Sequence, residues 1–175
     1  MSVERNRGER TSPTSGEQGG ASSKKDVYDK ALSLLARREH SQRELKRKLA
    51  LHGHDAEEAD VAIDRLKDQS LQSDERFAAS VARHRSAHGY GPVRIRAELK
   101  AQGVDDAAIR SALVELDADW PVIAAAQLRR RAGGRTADAA ERARRAQFLL
   151  RRGFDAATVS AVTRAATDDP EPDLD

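Results

Sequence analysis

The chain has 175 residues, 38% of them hydrophobic and 34% charged, which is too little apolar material for one large core and enough for several small ones in a row. It has no cysteine, which excludes a disulfide framework and a thiolate metal site and suits a reducing cytoplasm, and no apolar run approaches membrane-spanning length. The net charge of +2 conceals an asymmetry: the last eight residues, DDPEPDLD, hold five of the 29 acids and no base, leaving 24 acids against 31 bases in the body, so an anionic partner such as nucleic acid or a nucleoprotein is reasonable.

Residues 1–24 mix Ser, Gly, Arg, Glu, Thr and Pro with almost no apolar side chain and are expected to be a disordered tail. No hydrophobic centre of a signal peptide is present there, so a soluble, cytoplasmic protein is expected. The first unit, 25–69, opens with a helix whose Tyr28, Ala31, Leu32 and Leu35 share a face. Ser41-Gln42-Arg43-Glu44 has capping-box spacing and starts a second helix, with Leu45 and Leu49 on its core side; Gly53 stops it. A third helix runs from about Asp55 to Asp68.

The second unit, 70–119, starts at Ser73 or Asp74, where two acids occupy a first turn, with Phe77 and Val81 on its apolar face. Then comes GYGPVRIRAELKAQG: Gly89, Tyr90 and Gly91 form a tight turn and Pro92 sits in the first helical turn. Ile95, Leu99 and Gln102 take one side of that helix, and Gly103 closes it. The third unit, 120–167, begins at Trp120-Pro121, with Val122, Ile123, Ala126 and Leu128 toward a core. Gly133-Gly134 break it, and Thr136 can cap a helix ending at Arg152, before Gly153. Residues 168–175 read as an acidic, disordered tail. No β-alternation occurs.

The units repeat with a period of 50. Gly53, Gly103 and Gly153 each follow a leucine (Leu49, Leu99, Leu149) and precede an aspartate (Asp55, Asp105, Asp155) suited to cap the next helix. Beyond it the apolar positions match at i, i+3, i+4, i+7: Ala59/Ala62/Ile63/Leu66, Ile109/Ala112/Leu113/Leu116 and Val159/Val162/Thr163/Ala166. The fold expected is all-α, an elongated curved array of three tandem three-helix repeats. The third copy has Arg145 where the others have Leu45 and Ile95, so its second helix is expected to be rotated or differently packed.

Catalysis has little support. The chain lacks a phosphate-binding GxxxxGK[ST] loop and an HExxH motif, and His84 and His88, one turn apart, have no third ligand at metal spacing. Neither a metal nor a cofactor is expected. Bases instead gather on the second helices: Arg43, Lys46 and Arg47; Arg94, Arg96 and Lys100; Arg144 and Arg151. Stacked units would line these into a basic stripe able to meet phosphates or carboxylates, or the bases merely solvate helix surfaces beside neighbouring acids. Tyr90 either stacks on a partner or packs over the next helix.

The stretches SQRELKRKL, DERFA, GYGPVRIRAELKAQGV and FLLRRGFD, in this order and spacing, resemble the RecX family of recombinase regulators over about residues 26–166. One departure is the link Leu71-Gln72-Ser73-Asp74, polar where the family commonly has a second aspartate, which bears on local capping. The resemblance implies a cytoplasmic, non-enzymatic modulator of the RecA recombinase, lodged in the groove of the RecA–single-stranded DNA filament and restraining its growth, ATP hydrolysis and strand exchange; a monomer is expected. On that reading Arg43, Lys46, Arg47, Arg94, Arg96, Lys100, Arg144 and Arg151 touch the filament, with direct DNA contact weak at most. Tyr90, Gly91, Pro92, Ile95 and Leu99, with Gly53, Gly103 and Gly153, hold the units in shape. A DNA-binding helical module and a protein scaffold are the rival readings.

Overall fold

The computed structural model describes residues 17–132 and 138–165, and among these the chain is helical without strands. Its helices are α1 Glu17–Leu35, α2 Gln42–Leu51, α3 Ala56–Asp68, α4 Asp74–Ala87, α5 Pro92–Ala101, α6 Asp106–Glu115, α7 Trp120–Ala132, α8 Ala139–Arg151 and α9 Ala156–Ala165. Extensive helix-on-helix packing stays inside triplets: α1 and α2 on α3, α4 and α5 on α6, α7 and α8 on α9. The chain is thus the expected all-α tandem array of three three-helix repeats.

Local chemistry sets the boundaries. Ser41, Asp55, Ser73, Asp105 and Asp138 each accept a first-turn backbone N–H, satisfying donors that have no intrahelical partner. Asp155 does the same for Thr158 N–H at 2.8 Å. At the other ends the repeated glycines take left-handed conformations, φ +83° at Gly53, +79° at Gly103 and +85° at Gly153. The amide of the residue after each glycine then reaches back to the carbonyl of Leu49, Leu99 or Leu149. That bond gives the repeated leucine a backbone role beside its buried side chain.

Each repeat has its own core. In the first, Leu45 and Leu49 of α2 and Ile63 and Leu66 of α3 close over Val27 and Ala31 of α1. In the second, Ile95 and Leu99 meet Ile109 and Ala112, with Phe77 and Ala82 of α4 beneath. The third is built on Leu149, Phe154, Val159, Val162, Ala124 and Leu128. A fully buried Leu or Ile contributes about 1.5–3 kcal/mol, so three such clusters carry most of the fold. Half-buried Trp120 packs against both the second and the third core.

Several expectations are corrected. Helix α1 begins at Glu17, inside the stretch expected to be an unstructured tail through residue 24. Extending an existing helix is cheap beside starting one, and the packed turn at Val27 and Ala31 provides the start. Leu32 is 36% exposed, because Val27 and Ala31 take the inward face of α1. Val122 is 58% exposed, and Ala124 and Leu128 fill the core side of α7 in its place. Arg145 does not swing outward: it is buried at the register of Leu45 and Ile95, its Nε 3.2 Å from Glu141 Oε1, so α8 keeps the common orientation. The expected Gly133-Gly134 break and Thr136 cap, Ala166 of the repeated apolar pattern and the 168–175 tail lie outside the described residues.

Candidate partner-binding surface and the joints beneath it

The bases of the second helices stand on repeats that are locked at two joints of different construction. At the joint between repeats two and three, the start of α5 sits on the end of α8. Gly91 N–H donates to the Arg152 carbonyl at 2.9 Å and Val93 N–H to that of Gly153 at 3.0 Å. The electronegative end of α8 thereby meets the electropositive start of α5. Gly91 has ordinary extended backbone, φ −85°, and is glycine for space: a Cβ there would lie 2.3 Å from the Gly153 carbonyl oxygen.

Arg152 clasps the joint from outside, Nη1 donating to the carbonyls of His88 at 3.0 Å and Gly89 at 3.2 Å. Its guanidinium lies over the rings of both Tyr90 and Phe148. Tyr90 also carries Arg94 at 4.6 Å and Arg85 at 5.8 Å, so it is packed among guanidiniums at the joint. Arg85 in turn makes two hydrogen bonds to Glu98, which hold its pKa above the ordinary arginine value.

The first joint is made of side chains. Gln72, 3% exposed, donates to the His40 carbonyl at 3.2 Å and to Asp74 Oδ1 at 2.8 Å, and Asp74 Oδ1 also accepts Gln42 N–H at 3.0 Å. Arg76 pairs with Glu39 at 2.8 Å. The polar Gln72-Ser73-Asp74 link therefore caps α4 through Ser73 and ties α4 to α2. Beside it Glu44, 7% exposed, is held by Arg38. Burial pushes its carboxyl up, but the Arg38 hydrogen bonds and the charges of His40, Arg38 and Lys48 outweigh that, so it titrates below the ordinary carboxylate range. Ser41 accepts Glu44 N–H as the capping box requires, while the Glu44 carboxylate turns to Arg38 and not back to the cap. Burial lowers the pKa of His40.

The candidate bases separate into two groups. Lys46 pairs with Asp60 at 2.8 Å, Lys100 with Asp106 at 3.1 Å and Arg144 with Glu141 at 2.8 Å, each within its own repeat. Arg43, Arg47, Arg94, Arg96 and Arg151 are exposed and make no ion pair among the described residues. Arg94 and Arg151 are brought together, Arg94 Nη1 lying 3.4 Å from the Arg151 carbonyl. The Arg43 stem lies under Gly103, much as Arg94 lies under Gly153, so a second helix of one repeat supports the glycine turn of the next. Of the residues expected to hold the units, Ile95 and Leu99 are fully buried and Pro92 opens α5, while a Cβ added at Gly53 would meet no described atom within 4 Å.

Arg152 as a clasp, Gln72 as a buried tie and Arg85 with Glu98 were not singled out as such from sequence, since their partners lie far along the chain or carry no periodic mark. His84 and His88 stack at 4.2 Å between centroids, with His88 Nδ1 donating to the His84 carbonyl at 2.7 Å. Among the described residues no group of three or more His, Cys, Asp or Glu is placed to hold a metal, and no helix is long and apolar enough to cross a membrane.

Comparison with known proteins matches each repeat separately. Family models described as the first, second and third three-helix domains of RecX match residues 28–66, 73–113 and 122–163. The chain is 45% identical over 141 residues to "Regulatory protein RecX" of Xanthomonas axonopodis pv. citri (strain 306), covering 80% of this chain and 87% of that one. It is also 45% identical over 155 residues to the protein of that name from Halorhodospira halophila (strain DSM 244 / SL1), covering 88% and 96%. A crystal structure of RecX from Lactobacillus salivarius superposes with a TM-score of 0.69 at 23% identity, covering 83% of this chain and 97% of that one. A second crystal structure, of regulatory protein RecX, gives 0.73 at 22% identity, covering 83% and 75%. With its three repeats matched in order and these relatives matched across most of their length, the chain belongs to the RecX family of regulatory proteins.

Proposed function

We propose that the protein is a non-enzymatic, cytoplasmic regulator that binds as a monomer to the RecA–single-stranded DNA filament. There it inhibits filament growth, ATP hydrolysis and strand exchange, and so limits recombination and the damage response. The observation that carries this reading is the set of exposed bases without ion-pair partners on the second helices: Arg43 and Arg47, Arg94 and Arg96, and Arg151. Bases on packed repeats, with no ion-pair partner among the described residues, are available to a negatively charged nucleoprotein. Lys46, Lys100 and Arg144 are already paired and serve second. The regulatory name of the relatives fits the same reading.

The test is recombinase ATP hydrolysis on single-stranded DNA with and without the protein. A dose-dependent fall that weakens as salt rises is expected, because exposed charges are screened within about 10 Å at 0.1 M. Unchanged turnover at saturating protein would refute the proposal.

A further inference from the structure

Where α4, α7 and α8 meet, an open cleft of about 540 Å³ is lined by His88, Gln127, Arg130, Arg131, Phe148 and Arg152, together with Ala87. Among the described residues no carboxylate lines it, and Arg130, Arg131 and Arg152 make no ion pair. Arg131 lies over the Phe148 ring at 4.6 Å and Arg152 at 5.1 Å. Arg152 is further fixed by its bonds to the carbonyls of His88 and Gly89. Cations at the end of α7 would suit its dipole alone, but that does not explain the arginine just past α8 and the histidine just past α4 gathered beside them.

Gln127 adds a second, independent observation. It is 8% exposed and its amide makes no hydrogen bond among the described residues, although it lines the cleft. The amide lies over Gly89, 2.1 Å from where a Cβ would be, so glycine at that position makes its placement possible. The unpaired Gln127 amide offers one donor edge and one acceptor edge side by side at the cleft wall, which is the complement of a nucleobase edge.

We propose that this cleft binds a nucleotide unit of single-stranded nucleic acid directly, its phosphate held by Arg130, Arg131 and Arg152 and its base edge read by Gln127. Guanidinium planes fixed over an aromatic ring present their outer faces for base stacking. A base splayed into a cleft requires a single strand, since in a duplex it would be stacked and paired. The alternative occupant, an acidic peptide, would reach the arginines with a short carboxylate stem, leaving the space over Ala87 and Phe148 unfilled and Gln127 unpaired.

The test measures fluorescence anisotropy of a labelled oligothymidylate with the full chain over a range of salt, with no recombinase present, so the outcome does not depend on the filament reading. Arg130→Gln with Arg131→Gln should weaken binding about tenfold or more and reduce the log–log salt slope by about 1.4, from two lost phosphate contacts at about 0.7 each. Gln127→Ala should weaken binding while leaving the salt slope unchanged. Arg43→Gln with Arg47→Gln removes the same charge far from the cleft and should have much the smaller effect. Equal losses from the two arginine pairs would reduce the cleft to general surface charge. Displacement of the oligonucleotide by polyglutamate at equal charge concentration would assign it to an acidic peptide. Either result overturns the proposal, as does a failure of wild type to bind.

Discussion

Replacing Gly91 by alanine tests the joint between repeats two and three with a single methyl group. Gly91 has φ −85° and ψ 168°, which any residue adopts, so the backbone itself is not strained by the change. The added Cβ would stand 2.3 Å from the Gly153 oxygen and 2.4 Å from the Phe154 nitrogen, both backbone atoms, where 3.0 Å is a practical floor. Relief requires the two turns to part by about 0.7 Å, the gap between 2.3 and 3.0 Å. That stretches the bonds from Gly91 N–H to Arg152, now 2.9 Å, and from Val93 N–H to Gly153, now 3.0 Å, beyond useful length. Two such bonds are worth about 0.5–1.5 kcal/mol each, and overpacking costs about 1–3 kcal/mol more, giving a loss of about 2–6 kcal/mol. Denaturant unfolding followed by Trp120, which touches both adjoining cores, should show a lower midpoint, and amide exchange at Gly91 and Val93 should accelerate. Gly53→Ala is the control. Gly53 has φ +83° but nothing within 4 Å, so the change costs about 1–2 kcal/mol of backbone strain and leaves the joint untouched. If Gly91→Ala loses no more stability than Gly53→Ala, the close approach of the two turns is not real.

Reversing Arg47 and Arg96 to Glu should weaken inhibition of recombinase ATP hydrolysis by about tenfold or more, whereas Lys46→Ala and Lys100→Ala, whose charges already face Asp60 and Asp106, should do much less. Equal effects of the two sets in a titration of turnover would count against the distinction between paired and unpaired bases. Arg145→Leu, which restores the residue type of Leu45 at that register, should leave the melting temperature unchanged or raise it, because only the Arg145 side of the pair is buried and the solvent-accessible Glu141 keeps Arg144 as its partner. The backbone N–H of Thr158 holds Asp155 below the ordinary carboxylate range. A group with its folded pKa depressed stabilises above its unfolded value and loses that contribution as pH falls through the folded one. Asp155→Asn should therefore flatten the acid side of the stability curve, wild type and variant converging at low pH in thermal melts.

The repeats were legible because their marks are local. A left-handed glycine, an aspartate at a helix start and four apolar positions at helical spacing depend on a few neighbouring residues, so they recur in sequence as they recur in space. The joints were not legible for the opposite reason. Gln72 reaches His40, and Arg152 reaches His88, across 32 and 64 residues, and neither partner acts through its own side chain: each offers a backbone carbonyl, which leaves no trace in residue type. The basic surface was half legible. Sequence located the bases on the second helices, but which of them are neutralised depends on how α2 meets α3 and α5 meets α6, which brings Asp60 to Lys46 and Asp106 to Lys100. Arg145 shows the limit of arguing from residue type alone, since a charged side chain occupies a core register with Glu141 as its companion.

The two joints differ in mechanical character. Gln72, Asp74, Glu39 and Arg76 join the first pair of repeats through jointed side-chain arms that can pivot while their bonds persist. The second pair is riveted by main-chain bonds at Gly91 and Val93, with Trp120 wedged into both cores. The array is therefore expected to bend more readily between repeats one and two than between repeats two and three. On the proposed reading, repeats two and three would engage a partner as one unit, and repeat one would adjust to its pitch.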